Sequence, residues 1–440
     1  MDFITIGALG IIGLLVLLAA GVSVSINFLF IGIVGITMML GFDPAVALLG
    51  ETAYYSIASP TFTVLPLFIL MGAFAARGGF IQKAFKNVHI LAARVPGSLA
   101  IATSFGSAIF ASICGSTLAT VSTFGKLAYP EMRKYNYDKS YALGSIASSG
   151  SFAAMIPPSG MFILFAIFTD QSVGKLFMAG IIPGILTAVV YSASMIIRAK
   201  RNPLLAPMAP EEFDVTFTDR AQALGRLWPI AILASSVVGG MYAGFFTPTE
   251  AGAVGAVGAL IFGLFDGEMR KKGQFRGALQ ESARSSSMLI FIIIAALFFS
   301  RFMALTGIPG ELSAFLQNWD VHRLVILFLI LLLWMVMGMI MAQAAVFALT
   351  LPILFPVVVS LGYDPIWFCV IAMKLNEISG VTPPVGLSAF GLAGSVGGDT
   401  KVEDVFKGVF PFVLCDFIVI FLLFIFPEIA TFLPSIMLGN

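Results

Sequence analysis

Apolar residues fill most of the chain in blocks of roughly 17 to 24, about the length an α-helix needs to cross hydrocarbon, and polar residues punctuate them. Blocks at 3–21, 24–40, 61–77, 140–168 and 174–197, then at 228–244, 249–266, 286–305, 365–397 and 405–426, predict ten spans. Two other apolar stretches, 98–128 and 322–360, exceed one span and are interrupted at their middles, which predicts re-entrant helical hairpins. The segment 198–227 is the one long polar linker, rich in Pro and charge, and it separates a first unit (1–197) from a second (228–440). The expected fold class is an all-α integral membrane protein.

Composition agrees: 59% of the 440 residues are hydrophobic and 11% charged, whereas soluble domains carry about 25% charged residues. Mean hydropathy is +1.01. Lys plus Arg (24) nearly balances Asp plus Glu (23), and no basic stripe with interleaved aromatics occurs, so nothing points to a nucleic-acid partner. Cys114, Cys369 and Cys415 lie inside apolar blocks without metal-ligand spacing and read as small core residues. The opening MDFITIGALG has no basic n-region or cleavage signal and reads as a retained first helix.

Loop charge orients the spans. Arg77, Lys83, Lys86 and Arg94 precede the first hairpin and Arg133, Lys134 and Lys139 follow it, so by the positive-inside rule it enters from the cytoplasm. Arg198, Lys200, Arg201, Arg220, Arg226 and the cluster Arg270, Lys271, Lys272, Arg276 and Arg284 are also expected inside. The second hairpin is flanked by Arg323 alone and should enter from outside. Both termini are then periplasmic.

Shifting the chain on itself by 226 residues pairs Pro130 with Pro356, Tyr137 with Tyr363, Asp138 with Asp364, Pro157-Pro158 with Pro383-Pro384, and Gly160 with Gly386. The apolar blocks obey the same offset. Each unit holds five spans, an odd number, so the second copy should sit inverted relative to the first. Inverted repeats with broken helices are a common build of secondary transporters, with ions and substrate near the midplane.

Pro130, Pro356, Pro183 and Pro411 read as helix punctuation, and Asp138 and Asp364 as N-caps. The double prolines differ because they fall in mid-block. Each frees a carbonyl one turn earlier, and an exposed carbonyl in hydrocarbon costs several kcal/mol, by order of magnitude, unless something polar fills the break. Ser148, Ser149, Gly150, Ser151, Pro157 and Ser159 surround the first break; Asn376, Ser379, Gly380, Thr382 and Pro383 surround the second. Hard oxygens and small residues suit Na⁺. The first hairpin tip, 111–125, adds Ser112, Gly115, Ser116, Thr117, Thr120, Ser122 and Thr123, and the helix N-terminus near Thr117 offers amides to an anion. The second tip, 338–352, offers Gln343 and Thr350.

CGST at the first tip, IPPSG, and EISGVTPPVG resemble the large membrane subunit of tripartite ATP-independent periplasmic (TRAP) transporters, and with the ten-span, two-hairpin layout the resemblance covers essentially the whole chain. It implies an elevator carrier of the ion transporter superfamily in the bacterial inner membrane, with a transport domain of about 98–168 and 322–397 moving against a scaffold of the other spans. It also implies coupling to Na⁺ or H⁺, a small four-span membrane partner subunit, a periplasmic substrate-binding protein, and a small organic anion, carboxylate or sulfonate, as cargo. Mapped here, ion binding falls to Ser112, Gly115, Ser116, Thr117, Ser149, Gly150, Pro157, Ala342, Gln343, Asn376, Ser379, Gly380, Thr382 and Pro383. Substrate binding falls to Ser116, Thr117, Pro158, Ser159 and Pro384, with Lys126 and Arg301 as candidate cations. The chain departs from the family twice: many members carry an acid at the second tip, where Ala342 and Gln343 stand, and the glycine expected two residues after Glu377 is Ser379, with Gly380 following.

Lys374 and Glu377 lie three apart, on one face of a helix, and read either as a neutral structural pair or as a functional charge at membrane depth. Lys126 and Arg301 can equally snorkel to an interface. Glu250 reads as a first-turn acid beside Thr247, and His89 and His322 as loop residues. No H-E-x-x-H, nucleophile elbow or phosphate loop is present, so neither an enzyme nor an ATP-driven pump is expected. An ion channel would not need oxygen-rich breaks in both units. A stand-alone Na⁺:dicarboxylate-type symporter of related build is the alternative.

Overall fold

The computed structural model describes residues 2–114, 117–152, 155–208, 214–317, 321–398 and 400–437. Up to the linker, the helices are α1 (Phe3–Ala19), α2 (Val24–Leu40), α3 (Phe42–Ala58), α4 (Pro60–Arg77), α5 (Phe80–Ala92), α6 (Ser98–Cys114), α7 (Thr117–Lys134), α8 (Lys139–Phe152), α9 (Gly160–Thr169) and α10 (Val173–Arg201). Beyond it come α11 (Phe217–Gly225), α12 (Trp228–Ala234), a π-helical turn (Ser235–Gly239), α13 (Gly240–Tyr242), α14 (Pro248–Phe265), α15 (Gln274–Thr306) and α16 (Ile308–Gln317). The chain continues through α17 (Arg323–Ile340), α18 (Gln343–Ser360), α19 (Pro365–Val381), α20 (Leu387–Val396), α21 (Val402–Ile425) and α22 (Glu428–Ile436). Among the described residues there is no strand. The molecule is an all-α, multi-spanning membrane protein.

Six helices, α10, α14, α15, α17, α18 and α21, are long and apolar enough to cross a membrane, and two bent pairs raise the number to eight. α1 and α2, with 17 residues each, are the longest of the shorter apolar helices. The arms of the second expected hairpin thus reach full span length, because 322–360 stays apolar throughout except at its turn.

Several helices depart from the sequence expectation. α3, α5 and α16 fall between the predicted apolar stretches, and α22 follows the last of them. α5 shows why: Phe80, Ile81, Ala84, Phe85, Val88 and Ala92 recur at helical spacing and are buried, while the intervening Gln82, Lys83 and Lys86 break the run before it reaches span length. His89, expected in a loop, belongs to the last turn of α5. The block at 286–305 is the apolar part of a 33-residue helix whose first turns are polar. The linker is partly helical: α10 runs on to Arg201, and α11 starts at a capping box of Thr216 and Asp219. Arg220 donates to Ala93 O at 2.7 Å and Arg94 to Val215 O at 2.9 Å, pinning the linker under α5.

Lipid supplies little hydrophobic drive between helices, so close packing at small residues holds them together. Gly32 on α2 receives the ring of Phe298 from α15, and a Cβ there would stand 2.7 Å from it. At Gly144 on α8 and Gly408 on α21 the two main chains meet with no space for a Cβ on either. α4 packs on α14 and α2 on α15; α8 packs on α21 and α19 on α10; α7 packs on α20 and α18 on α9.

Candidate functional site

α8 stops at Phe152 and α9 resumes at Gly160, capped by Ser159, whose hydroxyl accepts from Met161 N at 3.3 Å. Pro157, Pro158 and Ser159 are buried between them, and the Pro157-Pro158 peptide is cis. α7 begins at Thr117, packed against α8: Gly150 lies so close to Val121 that a Cβ would come within 3.1 Å of its backbone. Gly115 and Ser116, and the side chains of Ser112 and Ser151, lie outside the described residues.

The oxygens here are distinctive. Several buried hydroxyls of the chain donate back to a carbonyl of their own helix: Thr103 to Leu99 O at 2.8 Å, Thr169 to Phe165 O at 2.7 Å, Thr187 to Pro183 O at 2.8 Å and Thr350 to Val346 O at 2.6 Å. Thr117, Ser148 and Ser149 are buried too, yet their hydroxyls find no partner among the described residues. Ser104 and Ser107 on α6 share that condition and were missed by sequence reading, and so do Thr37 on α2 and Ser286 on α15, so what marks the first break is that three such hydroxyls flank it. The spacing of three between Ser104 and Ser107 in an apolar arm is the signal that could have found them. An unpaired buried hydroxyl costs about 1–3 kcal/mol, so three flanking the tip and the break are of a kind that would suit a hard cation such as Na⁺, which Thr117, Ser148 and Ser149 could hold.

At the second break α19 ends at Val381 and α20 resumes after Gly386. Gly386 adopts φ 60°, ψ 70°, and a Cβ would stand 2.8 Å from Thr382 O, so glycine is required here. Its N–H donates to Met339 O at 3.1 Å, which ties the end of α17 to the break. Gln343 Nε2 donates to Asn376 O at 2.9 Å, and Gly380 faces the Gln343 amide. Ala342 is the N-cap residue of α18 and makes no side-chain cap.

Most oxygens of this second site are engaged. Ser379 Oγ donates to Asn376 O at 2.8 Å and Thr382 Oγ1 to Ile378 O at 3.0 Å. Asn376 Oδ1 remains, buried and without a partner among the described residues, turned with Ser379 Oγ toward Gly338 on α17. Pro383 and Pro384, joined by a cis peptide, are exposed, unlike Pro157 and Pro158.

Lys374 is buried on α19, and its pairing is wider than expected. Its Nζ lies 3.4 Å from Glu377 Oε2 and only 2.6 Å from Asp416 Oδ1 on α21. Tyr191 of α10 donates its hydroxyl to Asp416 Oδ2 at 2.8 Å, and the backbone amide of Met155, at the first break, faces Glu377. Asp416 and Tyr191 were missed by sequence reading, although a lone acid inside an apolar span is itself the signal.

The two candidate substrate cations stand apart from the breaks. Arg301 pairs with Glu51 of α3 at 3.3 Å, both partly exposed. Lys126 is exposed and lines a cleft between α7 and the end of α20, with Tyr129, Arg133 and Thr400. Asp364 caps α19 by accepting from Trp367 N at 2.8 Å, Asp138 accepts from Tyr141 N at 2.8 Å, and Thr247 and Glu250 form a capping box.

Comparison with known proteins follows the same lines. A solved transporter from Alcanivorax borkumensis, YdaH, shares the fold with a TM-score of 0.64 at 13% identity, over 88% of this chain and 89% of that one. The chain is 29% identical over 412 residues to the C4-dicarboxylate TRAP transporter large permease protein DctM of Pseudomonas aeruginosa, covering 93% of each. It is 29% identical to the sialic acid TRAP transporter large permease protein SiaM of Vibrio cholerae, covering 98% of each. It is 31% identical to the isethionate TRAP transporter permease protein DctMQ of Oleidesulfovibrio alaskensis, over 88% of this chain and 59% of that one. Residues 11–429 match the model of the DctM component of tripartite ATP-independent periplasmic transporters. The chain is therefore a member of the DctM family, a multi-pass large permease subunit of the bacterial inner membrane and not an enzyme.

Proposed function

We propose that this subunit carries a small organic anion, a carboxylate or sulfonate, inward by an elevator motion coupled to Na⁺ bound at the two helix breaks. The observation that carries the reading is that each break is abutted by a helical hairpin and holds buried oxygen without a partner: Thr117, Ser148 and Ser149 at the first, Asn376 Oδ1 at the second. The relatives transport C4-dicarboxylates, isethionate and sialic acid, all organic anions, which supports the cargo class.

Two inverted repeats of five spans and one re-entrant hairpin make up the chain. Contacts that exchange under the 226-residue offset support this: α4 with α14 answers to α15 with α2, α8 with α21 to α19 with α10, and α7 with α20 to α18 with α9. The end of α17 meets the middle of the α19–α20 unit through Gly386, which favours a hairpin that turns at mid-depth. The moving unit extends beyond 98–168 and 322–397 to α10 and α21, because Tyr191 and Asp416 bind them to α19. The small four-span subunit completes the scaffold, a periplasmic binding protein delivers the anion, and both termini face the periplasm.

The test is uptake by vesicles holding both membrane subunits, with the binding protein outside, an imposed Na⁺ gradient and no ATP. Uptake should follow the Na⁺ gradient and need the binding protein. Uptake without the binding protein would support a stand-alone symporter instead, and loss of gradient dependence would remove the secondary-carrier reading.

A further inference from the structure

Lys374, Glu377, Asp416 and Tyr191 meet at membrane depth, with all three ionisable chains at most 3% exposed. Counted with both carboxylates ionised, Lys374 contributes one positive charge and each carboxylate one negative charge. The group therefore carries a formal excess of one negative charge in a region that solvates ions poorly. Glu377 precedes Ser379 by two residues and follows Asn376 directly, so at a rise of about 1.5 Å per residue it lies within one turn of both. Asn376 is 6% exposed, and its Oδ1 has no partner among the described residues.

We infer that the excess charge of this quartet sets the cation affinity of the second break, whose hairpin tip carries Ala342 and Gln343 and no acid. The inference rests on the cation reading proposed above. The carboxylates act through their field and not as ligands: Asp416, on the adjacent α21, is held by Lys374 and Tyr191. One unit of charge within about a turn of the site, at an effective dielectric near 20, changes affinity by roughly ten- to one-hundredfold. The net charge of the group, and not the identity of any one member, is the determining quantity.

That statement separates a field from a merely structural ion pair. The readout is the half-saturating Na⁺ concentration for thermal stabilisation of the purified complex of both membrane subunits, with NaCl exchanged for choline chloride at constant ionic strength. Glu377→Gln and Asp416→Asn each bring the group to neutrality and should raise that concentration at least about tenfold. Glu377→Asp keeps the charge and should stay within about threefold of the parent. The double variant Lys374→Gln/Asp416→Asn restores the single excess negative charge and should recover most of the parent affinity, although it dismantles the ion pair. Equal weakness of the double and single variants, or no change in Glu377→Gln, would overturn the inference. A parent complex with no Na⁺ response at all would instead overturn the cation reading, and the inference with it.

Discussion

The two helix breaks solve one problem with different chemistry. The first is closed: its prolines are buried, Gly150 presses on Val121, and the hydroxyls of Thr117, Ser148 and Ser149 find no partner among the described residues. The second has exposed prolines, most of its hydroxyls are bonded within their own helix, and formal charge lies one turn away in the Lys374 group. On the reading proposed above, two copies of one backbone device would hold a cation with free hydroxyls in one case and with largely engaged oxygens beside a charged group in the other.

Steric filling is the harshest way to break this contrast. Gly150→Leu has no space against Val121 and should displace the first tip, and a misplacement near 1 Å costs about 10²-fold in rate. Measured as Na⁺-driven uptake at matched membrane expression, Gly150→Leu should lie below a tenth of the parent, and near-normal uptake would show that the first break is not closed. Next in size is the hydroxyl comparison. Ser149→Ala removes a free oxygen and should raise the half-saturating Na⁺ concentration about tenfold, whereas Ser379→Ala removes one already engaged by Asn376 O and should shift it less than about threefold. The reverse order would abolish the distinction between the breaks.

Gln343→Ala should act more mildly, since it removes one neutral hydrogen bond to Asn376 O worth about 1 kcal/mol. Its expected signature is faster proteolysis at the second tip with unchanged Na⁺ response at the first. Smallest is Lys83→Gln. It removes the ion pair between α5 and Asp266 at the end of α14, and partly exposed pairs of this kind contribute below about 1 kcal/mol, so thermal stability should barely move.

Much of this was legible in the chain. Apolar blocks and breaks could be read because hydrocarbon forces length and polarity into the sequence, and the 226-residue offset survives in Pro157-Pro158 and Pro383-Pro384. Where ten spans were expected, however, six described helices, or eight with the bent pairs, have the length and apolarity to cross. α3, α5, α16 and α22 were not legible, since a short helix with one buried stripe lacks the apolar run that marks a span. Lys374 with Glu377 was visible because a helix places residues three apart together; Asp416 comes from a helix 42 residues on from Lys374, and only packing reveals it. The reading of Arg301 as a substrate cation missed its tie to Glu51, which likewise depends on α3, an element the apolar pattern hides.

The main-chain contact between Gly144 and Gly408 has one more consequence. α21 touches the first broken helix through Gly408 and, two turns further along, the second through Asp416. A helix fastened to both cannot rotate for one alone. Any cation that rotates α21 from one break shifts the free energy of filling the other, and thermodynamic reciprocity makes the effect equal in both directions. The steepness of the Na⁺ response would then be a property of a pair of glycines that touch no ion.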